Sequence, residues 1–398
     1  MMRKVFLLFA VSLMCGVLSA QKRESTRSVN EDILFAPEFH SYTRGRVLNE
    51  QGEGSSWYNR FGLIHVSDIH SGYSQLAEAL QVADGKVDLV VNTGDVAHGV
   101  SSSDAPKVRK VHESIARTVH KHSRLPYLQV PGNHDVTGLT KSDFFDETAP
   151  LVEKSGQKIV WGDKENHRAY GYMDFTDDSY KGDFRVVMLD PFDYDDGQFE
   201  KSYRFMAAVF SQKQVDWLIS VLKDAAVKGY NVITMMHYSF GDATVFNEET
   251  ANPDAFFYQD PFMIPDIIDA LQNAQRLSRV YPDQAGIHNV TVDVDFSAVP
   301  ELKFVAHLFG HIHSRNDYQC QKADGTKYDI LMLGETAIGV PGTALNKIDI
   351  VPGTINDISF SALEIDVVEQ AVYRISYGAY LNHDGSNNSR TVRIPYRF

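Results

Sequence analysis

The chain has 398 residues, of which 43% are hydrophobic, 11% aromatic and 23% charged, and its formal net charge is −14. A chain of this length and composition can bury one large α/β core or two smaller ones. The acidic balance excludes a nucleic-acid surface spread over the whole protein, because phosphate backbones recruit Lys and Arg. It leaves room for a locally positive pocket, such as one that holds metal ions.

Residues 1–20 have the pattern of a cleavable export signal. Arg3 and Lys4 form a charged start, residues 5–13 form an apolar segment, and residues 18–20 form a small-residue cleavage site. The apolar segment is short for a membrane span, so a retained membrane anchor is the less favoured alternative. We therefore expect an exported protein, periplasmic or secreted, without a stable membrane anchor.

Strands and helices are predicted to alternate after a polar, irregular lead-in at residues 21–60, so that the main domain spans 61–398. The apolar pattern predicts strands at 61–66, 87–91, 127–130, 184–189, 231–236 and 302–309, and helices at 74–82, 107–120 and 211–227. This spacing is typical of βαβ units and a mostly parallel sheet. Further strands at 328–333 and 360–377 are predicted to close a second sheet.

One segment interrupts the alternation. Residues 239–300 are rich in Asn, Asp, Pro and aromatic residues, with one helical pattern near 264–275. We expect an insertion that forms a lid or rim and contributes to substrate specificity. Its aromatic cluster at 256–258 is typical of packing onto the core, with stacking on a nucleobase as the alternative.

Asp, Asn and His side chains follow five of the predicted strands. Because ligands bind at the carboxyl ends of strands in open α/β sheets, these segments are expected to converge on one crevice. Carboxylate, imidazole and amide ligands suit Mn, Fe, Zn or Co, and a set this large matches two ions about 3.5–4 Å apart better than one ion. The segments are Asp68-Ile69-His70, Gly94-Asp95, Gly132-Asn133-His134-Asp135, His237 and Gly310-His311-Ile312-His313.

These five ordered motifs, D-x-H, G-D, G-N-H-D, a distal His and G-H-x-H, resemble those of the calcineurin-like metallophosphoesterase superfamily. The resemblance implies an α/β fold, a four-layer α/β/β/α sandwich, here with an insertion before the last metal motif. It also implies a site for two divalent transition-metal ions, such as Mn, Fe or Zn. The implied ligands are Asp68, His70 and His313 for one ion, Asn133, His237 and His311 for the other, and Asp95 as the bridge.

The resemblance further implies catalytic residues in the G-N-H-D motif. His134 would face the substrate and stabilise the phosphoryl group or protonate the leaving oxygen, with a structural role as the alternative. Asp135 would orient the His134 ring. His98 occupies the position of a metal-binding Tyr in purple acid phosphatases, and Asp135 that of a Glu in protein Ser/Thr phosphatases, so the chain departs from both groups. His98 is a candidate substrate contact, with a solvated or supporting role as the alternative.

Other polar residues have structural interpretations. His65 and His307 lie within apolar strands and are predicted to be hydrogen-bonded core histidines. Asp190 precedes Pro191 and is either a turn residue or a carboxylate behind the ligands. Cys320 is the one cysteine after removal of the signal, and a lone thiol is more typical of core packing than of metal binding.

The sequence therefore predicts an exported metallophosphoesterase that hydrolyses phosphate esters by attack of metal-bound hydroxide, as a phosphodiesterase or broad phosphohydrolase. A phosphomonoesterase acting on nucleotides or other small phosphates is the first alternative. A non-catalytic binding protein is disfavoured by the complete ligand set, and a nuclease by the acidic charge. The expected partner is a small phosphate ester and no nucleic acid, and the sequence does not indicate an oligomeric state.

Overall fold

The computed structural model describes residues 61–70, 72–83, 87–99, 102–154, 158–176, 182–195, 208–241, 260–283, 288–313, 315, 317–322, 324–335, 338, 358–378 and 391–397. The export signal at 1–20, the lead-in at 21–60 and the aromatic cluster at 256–258 lie outside the described residues and stay predictions. Among the described residues, no helix combines the length and the apolar character that a membrane span requires.

Strands dominate the described chain, and helices connect or cover them. The strands are β1 Phe61–Val66, β2 Leu89–Asn92, β3 Tyr127–Gln129, β4 Ile159–Trp161, β5 Gly171–Phe175, β6 Phe184–Met188, β7 Asn231–Met235, β8 Arg276–Tyr281, β9 Val290–Asp295, β10 Lys303–Phe309, β11 Asp317–Gln321, β12 Lys327–Gly334, β13 Ser359–Asp366, β14 Ala371–Gly378 and β15 Thr391–Pro395. The helices are α1 Tyr73–Ala83, α2 Ala105–His122, α3 Asn133–Gly138, α4 Lys141–Glu153, α5 Gln212–Lys228 and α6 Met263–Gln272.

The described strands form two large mixed sheets and one small hairpin. The first sheet has the order β15-β14-β13-β1-β2-β3, in which β1, β2 and β3 are parallel and the other three are antiparallel. The second has the order β11-β12-β10-β7-β6-β5-β4, with a parallel centre and antiparallel edges. The prediction of a mostly parallel sheet is therefore right for the strands that lead to the polar segments and wrong for the edges.

The strands predicted at 360–377 lie in a different sheet from the one expected. β13 and β14 pair with each other and join the first sheet through β1, where Phe61 lies opposite Ile365. Of the strands predicted at 328–333 and 360–377, β12 joins the second sheet, beside β10. Strand pairing at this sequence separation depends on the packing of both sheets, which the local apolar pattern does not encode.

The two large sheets pack face to face with helices outside them. Phe61 and Leu63 of β1 belong to an apolar cluster with residues of the second sheet, whereas Ile64 and Val66 face a cluster that includes residues of α1 and α2. Because successive side chains of a strand point to opposite faces, a strand that is apolar throughout is buried on both faces. Residues of α5 and α6 cover the other face of the second sheet, so the predicted α/β/β/α sandwich is confirmed.

Helix α2 shows how a covering helix also supplies a polar group to the interior. Its buried residues include Val108, Val111, Ile115 and Val119, at the spacing of three and four that one helix face requires. His112 lies on this same buried face. A polar side chain in such a position needs an internal hydrogen-bond partner.

Part of the segment predicted as an insertion belongs to the sandwich. Helix α6 has Met263, Ile267 and Leu271 buried in the apolar cluster outside the second sheet. The antiparallel hairpin of β8 and β9 follows it. Residues 242–259 lie outside the described part of the chain, so a lid over the site stays a prediction.

Candidate metal centre

The polar segments that follow five strands meet at one edge of the sandwich. The first sheet contributes the segments after β1, β2 and β3, and the second those after β7 and β10. Backbone hydrogen bonds join neighbouring segments: Asp68 N donates to Gly94 O at 2.9 Å, and Gly310 N donates to His237 O at 3.0 Å. The predicted convergence of the five segments is therefore present.

Asp68, His70 and His313, called the Asp68 group below, form the first cluster of potential metal ligands. His313 Nε2 lies 3.1 Å from Asp68 Oδ1 and 3.1 Å from His70 Nε2. Asp68 Oδ2 accepts hydrogen bonds from Ser67 Oγ at 2.6 Å and His311 N at 3.0 Å. Asp68 Oδ1 is buried and makes no hydrogen bond with the described residues. A buried carboxylate oxygen facing two imidazole nitrogens fits a transition-metal ion.

Asp95, His237 and His311, called the Asp95 group below, form the second cluster. Asp95 Oδ2 lies 3.3 Å from His237 Nε2. Asn133 Oδ1 completes the cluster at 2.8 Å from His237 Nε2 and 3.0 Å from His311 Nδ1. His237 Nδ1 donates to the carbonyl of Thr93 at 2.8 Å, which directs the ring's other nitrogen at the cluster. Such a carbonyl partner is typical behind a metal-binding His.

The electrostatics of both groups favour a cation between their members. Burial alone would raise the pKa of Asp68 and Asp95, but His313 and His237 respectively outweigh it and hold each pKa below its ordinary value. Burial would lower the pKa of His237, but the Asp95 carboxylate raises it to about 9. Burial lowers the pKa of His311 to about 3, so this ring stays neutral. A metal ion at the Asp95 group would displace the proton that Asp95 and His237 otherwise hold.

Five of the candidate ligands adopt a backbone conformation that L residues rarely adopt. Their φ angles are 49° at Asp68, 45° at His70, 54° at Asp95, 69° at His311 and 48° at His313. Each such residue costs about 1–3 kcal/mol and persists only where its surroundings hold it. The concentration of left-handed residues at this edge makes it a candidate functional site.

Two glycines allow the segments to approach each other. A Cβ at Gly310 would lie 1.8 Å from Ser67 Oγ, and a Cβ at Gly132 would lie 2.1 Å from Asp95 Oδ1. Both distances are far inside van der Waals contact, so neither position accommodates a side chain without moving a ligand segment.

His134 and His98 lie at the mouth of the centre. The backbone N of His134 donates to Asp95 Oδ1 at 2.9 Å, and its ring Nδ1 donates to the carbonyl of Gly99 at 2.8 Å. The exposed His98 ring stacks on the His134 ring with centroids 4.5 Å apart. Both rings also face His70, at 5.1 and 5.3 Å between centroids. The structure thus places both candidate substrate contacts beside the ligands.

Asp135 does not have the position predicted for it. Its carboxylate accepts hydrogen bonds from the backbone N of Val96 at 3.3 Å, Ala97 at 3.0 Å and Gly132 at 3.0 Å. It also accepts from His112 Nε2 at 3.0 Å. The prediction that Asp135 orients the His134 ring is therefore wrong, because adjacent side chains on a helix point in different directions. Asp135 instead joins the loop after β2 to the G-N-H-D turn.

His112 is the supporting residue that sequence reasoning missed. It reaches Asp135 from the apolar face of α2, and it is only 3% exposed. The available signal was a His at the spacing of the buried Val and Ile residues. That signal does not identify the partner, since the helix and the turn meet only in the folded chain.

The remaining polar residues have the structural roles predicted for them. His307 is hydrogen-bonded to Thr234 Oγ1 and to the carbonyl of Tyr238, both at 2.9 Å, and His65 to Thr93 Oγ1 at 3.1 Å. Asp190 accepts from Phe192 N at 2.9 Å as a turn residue and pairs with the buried Lys141 at 2.7 Å. Cys320 is buried in the apolar cluster outside the second sheet, which confirms packing.

Comparisons with known proteins give one family match and several structural similarities. The family model for calcineurin-like phosphoesterases matches residues 61–315. A dimetal phosphatase from Danio rerio has a similar structure, with a TM-score of 0.51 and 12% identity over 84% of this chain and 99% of that chain. PhoD gives a TM-score of 0.40 and 12% identity over 83% of this chain and 72% of that chain. NAD nucleotidase from Haemophilus influenzae gives a TM-score of 0.36 and 11% identity over 77% of this chain and 48% of that chain. No curated protein matches the sequence.

Proposed function

Because the chain belongs to the calcineurin-like phosphoesterase family, we propose that it is an exported phosphodiesterase that uses two divalent transition-metal ions. As a member of the family it is a hydrolase of phosphoric ester bonds, acting on small phosphate esters. The preference for diesters, the export and the roles of individual residues go beyond family membership.

The observation that carries the proposal is the pair of adjacent ligand clusters. The Asp68 group would hold one ion, and His237, His311 and Asn133 would hold the other. Asp95 contacts members of both groups: its Oδ2 lies 3.3 Å from His237 Nε2, and its backbone carbonyl accepts a hydrogen bond from His70 N at 3.1 Å. Two such ions, when bound, neutralise phosphate charge and lower the pKa of water. The donor set of carboxylate, imidazole and amide suits Mn, Fe or Zn.

His134 is the residue proposed to act on the leaving group. Its Nδ1 proton is directed to the carbonyl of Gly99, so the proton that the ring exchanges is the one on Nε2. That atom lies 3.9 Å from Asp95 Oδ2, next to the space between the two clusters. A His in this position can donate a proton to the departing oxygen. His98, stacked on it, is proposed to contact the substrate.

The preference for diesters is supported by the side chains at the mouth. In the part of the chain that the structure describes, the imidazoles of His98 and His134 stack on each other there, whereas recognition of a doubly charged terminal phosphate commonly uses Arg or Lys. Export is supported by the charged start, apolar segment and cleavage pattern of residues 1–20.

Hydrolysis of two model substrates by metal-analysed protein tests the proposal. We expect bis(4-nitrophenyl) phosphate to be cleaved faster than 4-nitrophenyl phosphate by protein that holds two ions. A large excess of monoester cleavage would indicate a phosphomonoesterase. Failure to cleave either ester with both ions bound would support a binding protein, and cleavage of DNA would indicate a nuclease.

The role of His98 is tested separately. His98→Ala should raise KM for the diester and leave the metal content unchanged, since the ring lies outside both ligand clusters. His120→Ala, at an exposed position of α2, is the control and should change neither quantity. An unchanged KM in His98→Ala would assign the ring a solvated role.

A further inference from the structure

A buried ion pair lies behind the turn that carries His311 and His313. Nε and Nη2 of Arg315 donate to Oε1 of Glu335 at 3.1 and 2.9 Å. The two side chains are 7% and 0% exposed. Removing both charges from water costs several kcal/mol per ion, so stability by itself is a weak reason for a pair in this position.

The guanidinium of Arg315 joins the turn to both large sheets. Glu335 follows β12 of the second sheet, and its backbone N donates to the carbonyl of Phe309 in β10 at 3.0 Å. Nη2 of Arg315 also donates to Ser359 Oγ at 2.8 Å and to the carbonyl of Phe360 at 3.3 Å, both in β13 of the first sheet. A planar group with several fixed donors suits such a junction better than the single ammonium of Lys.

The junction lies on the side of the Asp68 group. The carbonyl of Ser67, the residue before Asp68, accepts from Ile338 N at 3.2 Å, and the carbonyl of Ile338 accepts from Ser359 N at 2.9 Å. Ser359 is thus connected directly to Arg315 and, through Ile338, to the strand end that carries Asp68.

The two histidines of the turn are anchored in different ways. The backbone N of His311 donates to Asp68 Oδ2 at 3.0 Å, and its ring lies 3.0 Å from Asn133 Oδ1. His313 has a φ angle of 48°, a conformation that persists only when neighbouring groups hold it. Arg315 is the next described residue after His313. Its side chain is held by the hydrogen bonds to Glu335, Ser359 and Phe360.

We propose that Arg315, paired with Glu335, is a positioning residue that holds His313 in its ligand conformation and so determines how tightly the Asp68 group binds its ion. The inference rests on the proposed two-ion function. Residues behind metal ligands typically change affinity about 10- to 100-fold when they are replaced. The other ion depends less on the pair, because His311 has its own anchors.

Arg315→Met tests this role, because it removes the charge and the donors but keeps much of the volume. Arg185→Met is the matched control: the Arg185 side chain is fully buried, pairs with Asp174 at 2.7 Å, and lies at the start of β6, away from the turn. Equilibrium dialysis against Mn²⁺ counts the ions per chain, and electron paramagnetic resonance distinguishes a coupled ion pair from an isolated ion.

We expect the wild-type chain and Arg185→Met to bind two ions with a coupled-pair signal. Arg315→Met should bind one ion tightly, with an isolated-ion signal. Its second ion should bind about 10- to 100-fold more weakly than the second ion of the wild-type chain. Glu335→Gln should reproduce this pattern. Equal affinity for the second ion in Arg315→Met and wild type would overturn the proposal, as would an equal loss in Arg185→Met.

A second variant covers failure of Arg315→Met to fold. Arg315→Lys keeps the charge but not the planar fork, and it should weaken the second ion by a smaller factor; an unchanged second ion would overturn the proposal. A wild-type chain that binds no ion pair would overturn the proposed function as well. A normal pair in wild type, unaffected by either Arg315 variant, would overturn this inference alone.

Discussion

The Nε2 atoms of His70 and His313 lie 3.1 Å apart, although 243 positions separate the two residues in the sequence. Asp68 Oδ1 lies 3.1 Å from the same atom of His313. Three potential ligand atoms this close together, with one carboxylate oxygen unsatisfied by hydrogen bonds, are stabilised by a cation between them. The fold thus brings together a donor set that no continuous stretch of the chain contains.

Asp95→Asn should reduce both metal content and turnover. Asp95 Oδ2 lies 3.3 Å from His237 Nε2. An amide in its place carries no negative charge, so it would not offset the repulsion between two cations. We expect a fall in kcat/KM of about 100-fold or more, together with loss of metal by elemental analysis. Asp366→Asn, a buried carboxylate that accepts from Val368 N at 2.9 Å, is the control. Near-normal activity in Asp95→Asn would rule out the two-ion mechanism.

His134→Ala should keep both ions and lose rate. The His134 ring contacts the carbonyl of Gly99 and the ring of His98 but is not a member of either ligand group. Removal of a general acid typically lowers kcat about 100- to 10,000-fold. The check is kcat measured beside metal content on the same preparation. A parallel loss of metal would assign His134 to the structure of the centre instead.

Asp135→Ala should destabilise the fold, in contrast to His134→Ala. The change leaves the backbone N–H groups of Val96, Ala97 and Gly132, and the ring of His112, without their buried acceptor. Each buried donor left unsatisfied costs about 1–3 kcal/mol, so we expect the unfolding free energy to fall by at least about 3 kcal/mol.

Urea unfolding of metal-free protein measures this loss. Asp135→Asn, which keeps an acceptor oxygen, is the matched variant and should lose less stability. If Asp135→Ala were as stable as wild type and only slower in turnover, the assignment of Asp135 to the support of two loops would be wrong.

Gly310→Ala should disrupt the centre through steric conflict. The added Cβ would lie 1.8 Å from Ser67 Oγ and 2.6 Å from Asp68 Oδ2. Overpacking of this kind typically costs about 1–3 kcal/mol, and here the atoms that must move belong to the Asp68 group. We expect weaker metal binding, measured by dialysis, and partial recovery in Gly310→Ala combined with Ser67→Gly. Gly325→Ala, where the Cβ meets no atom within 4 Å, should leave the centre intact.

His307 should make the metal-free protein less stable in acid. Burial lowers the pKa of His307 to about 3 from an ordinary value of 6.5. Between these two values the unfolded chain binds the proton and the folded chain does not. The unfolding free energy should therefore fall as the pH falls below 6.5, with a slope that approaches about 1.4 kcal/mol per pH unit from this group.

Urea unfolding between pH 7 and pH 4, in the presence of a chelator, measures the slope for His307→Gln against wild type. The Gln variant should show a shallower dependence on pH, because it retains polar atoms for Thr234 and Tyr238 but does not titrate. Identical slopes for His307→Gln and wild type would contradict the prediction.

Much of the fold was predictable because its signals are local. The apolar runs that became β1, β7 and β10 are bounded by polar and glycine residues, and the observed strands end within two residues of the predictions. The candidate ligands were identifiable because Asp, Asn and His each follow such a run. The structural interpretations of His65 and His307 were also correct, since a polar group within an apolar strand has few alternatives to burial. Cys320 is buried as predicted, because a lone thiol behaves as a small apolar group.

Other features depend on contacts between distant segments. Strands β13 and β14 joined the first sheet through β1 rather than the second, because pairing register follows from the packing of both faces. Asp135 contacts His112 and three backbone N–H groups rather than His134, because neighbouring side chains on a helix diverge.

The sequence by itself determined the residue types, their order and the strand ends on which they lie, because burial and periodicity are properties of short stretches. Only the tertiary structure decided the left-handed conformation of five candidate ligands and the junction of Arg315 with Glu335 and Ser359. Both arise from forces between segments far apart in the chain, which hold each residue in a conformation that it would not adopt alone.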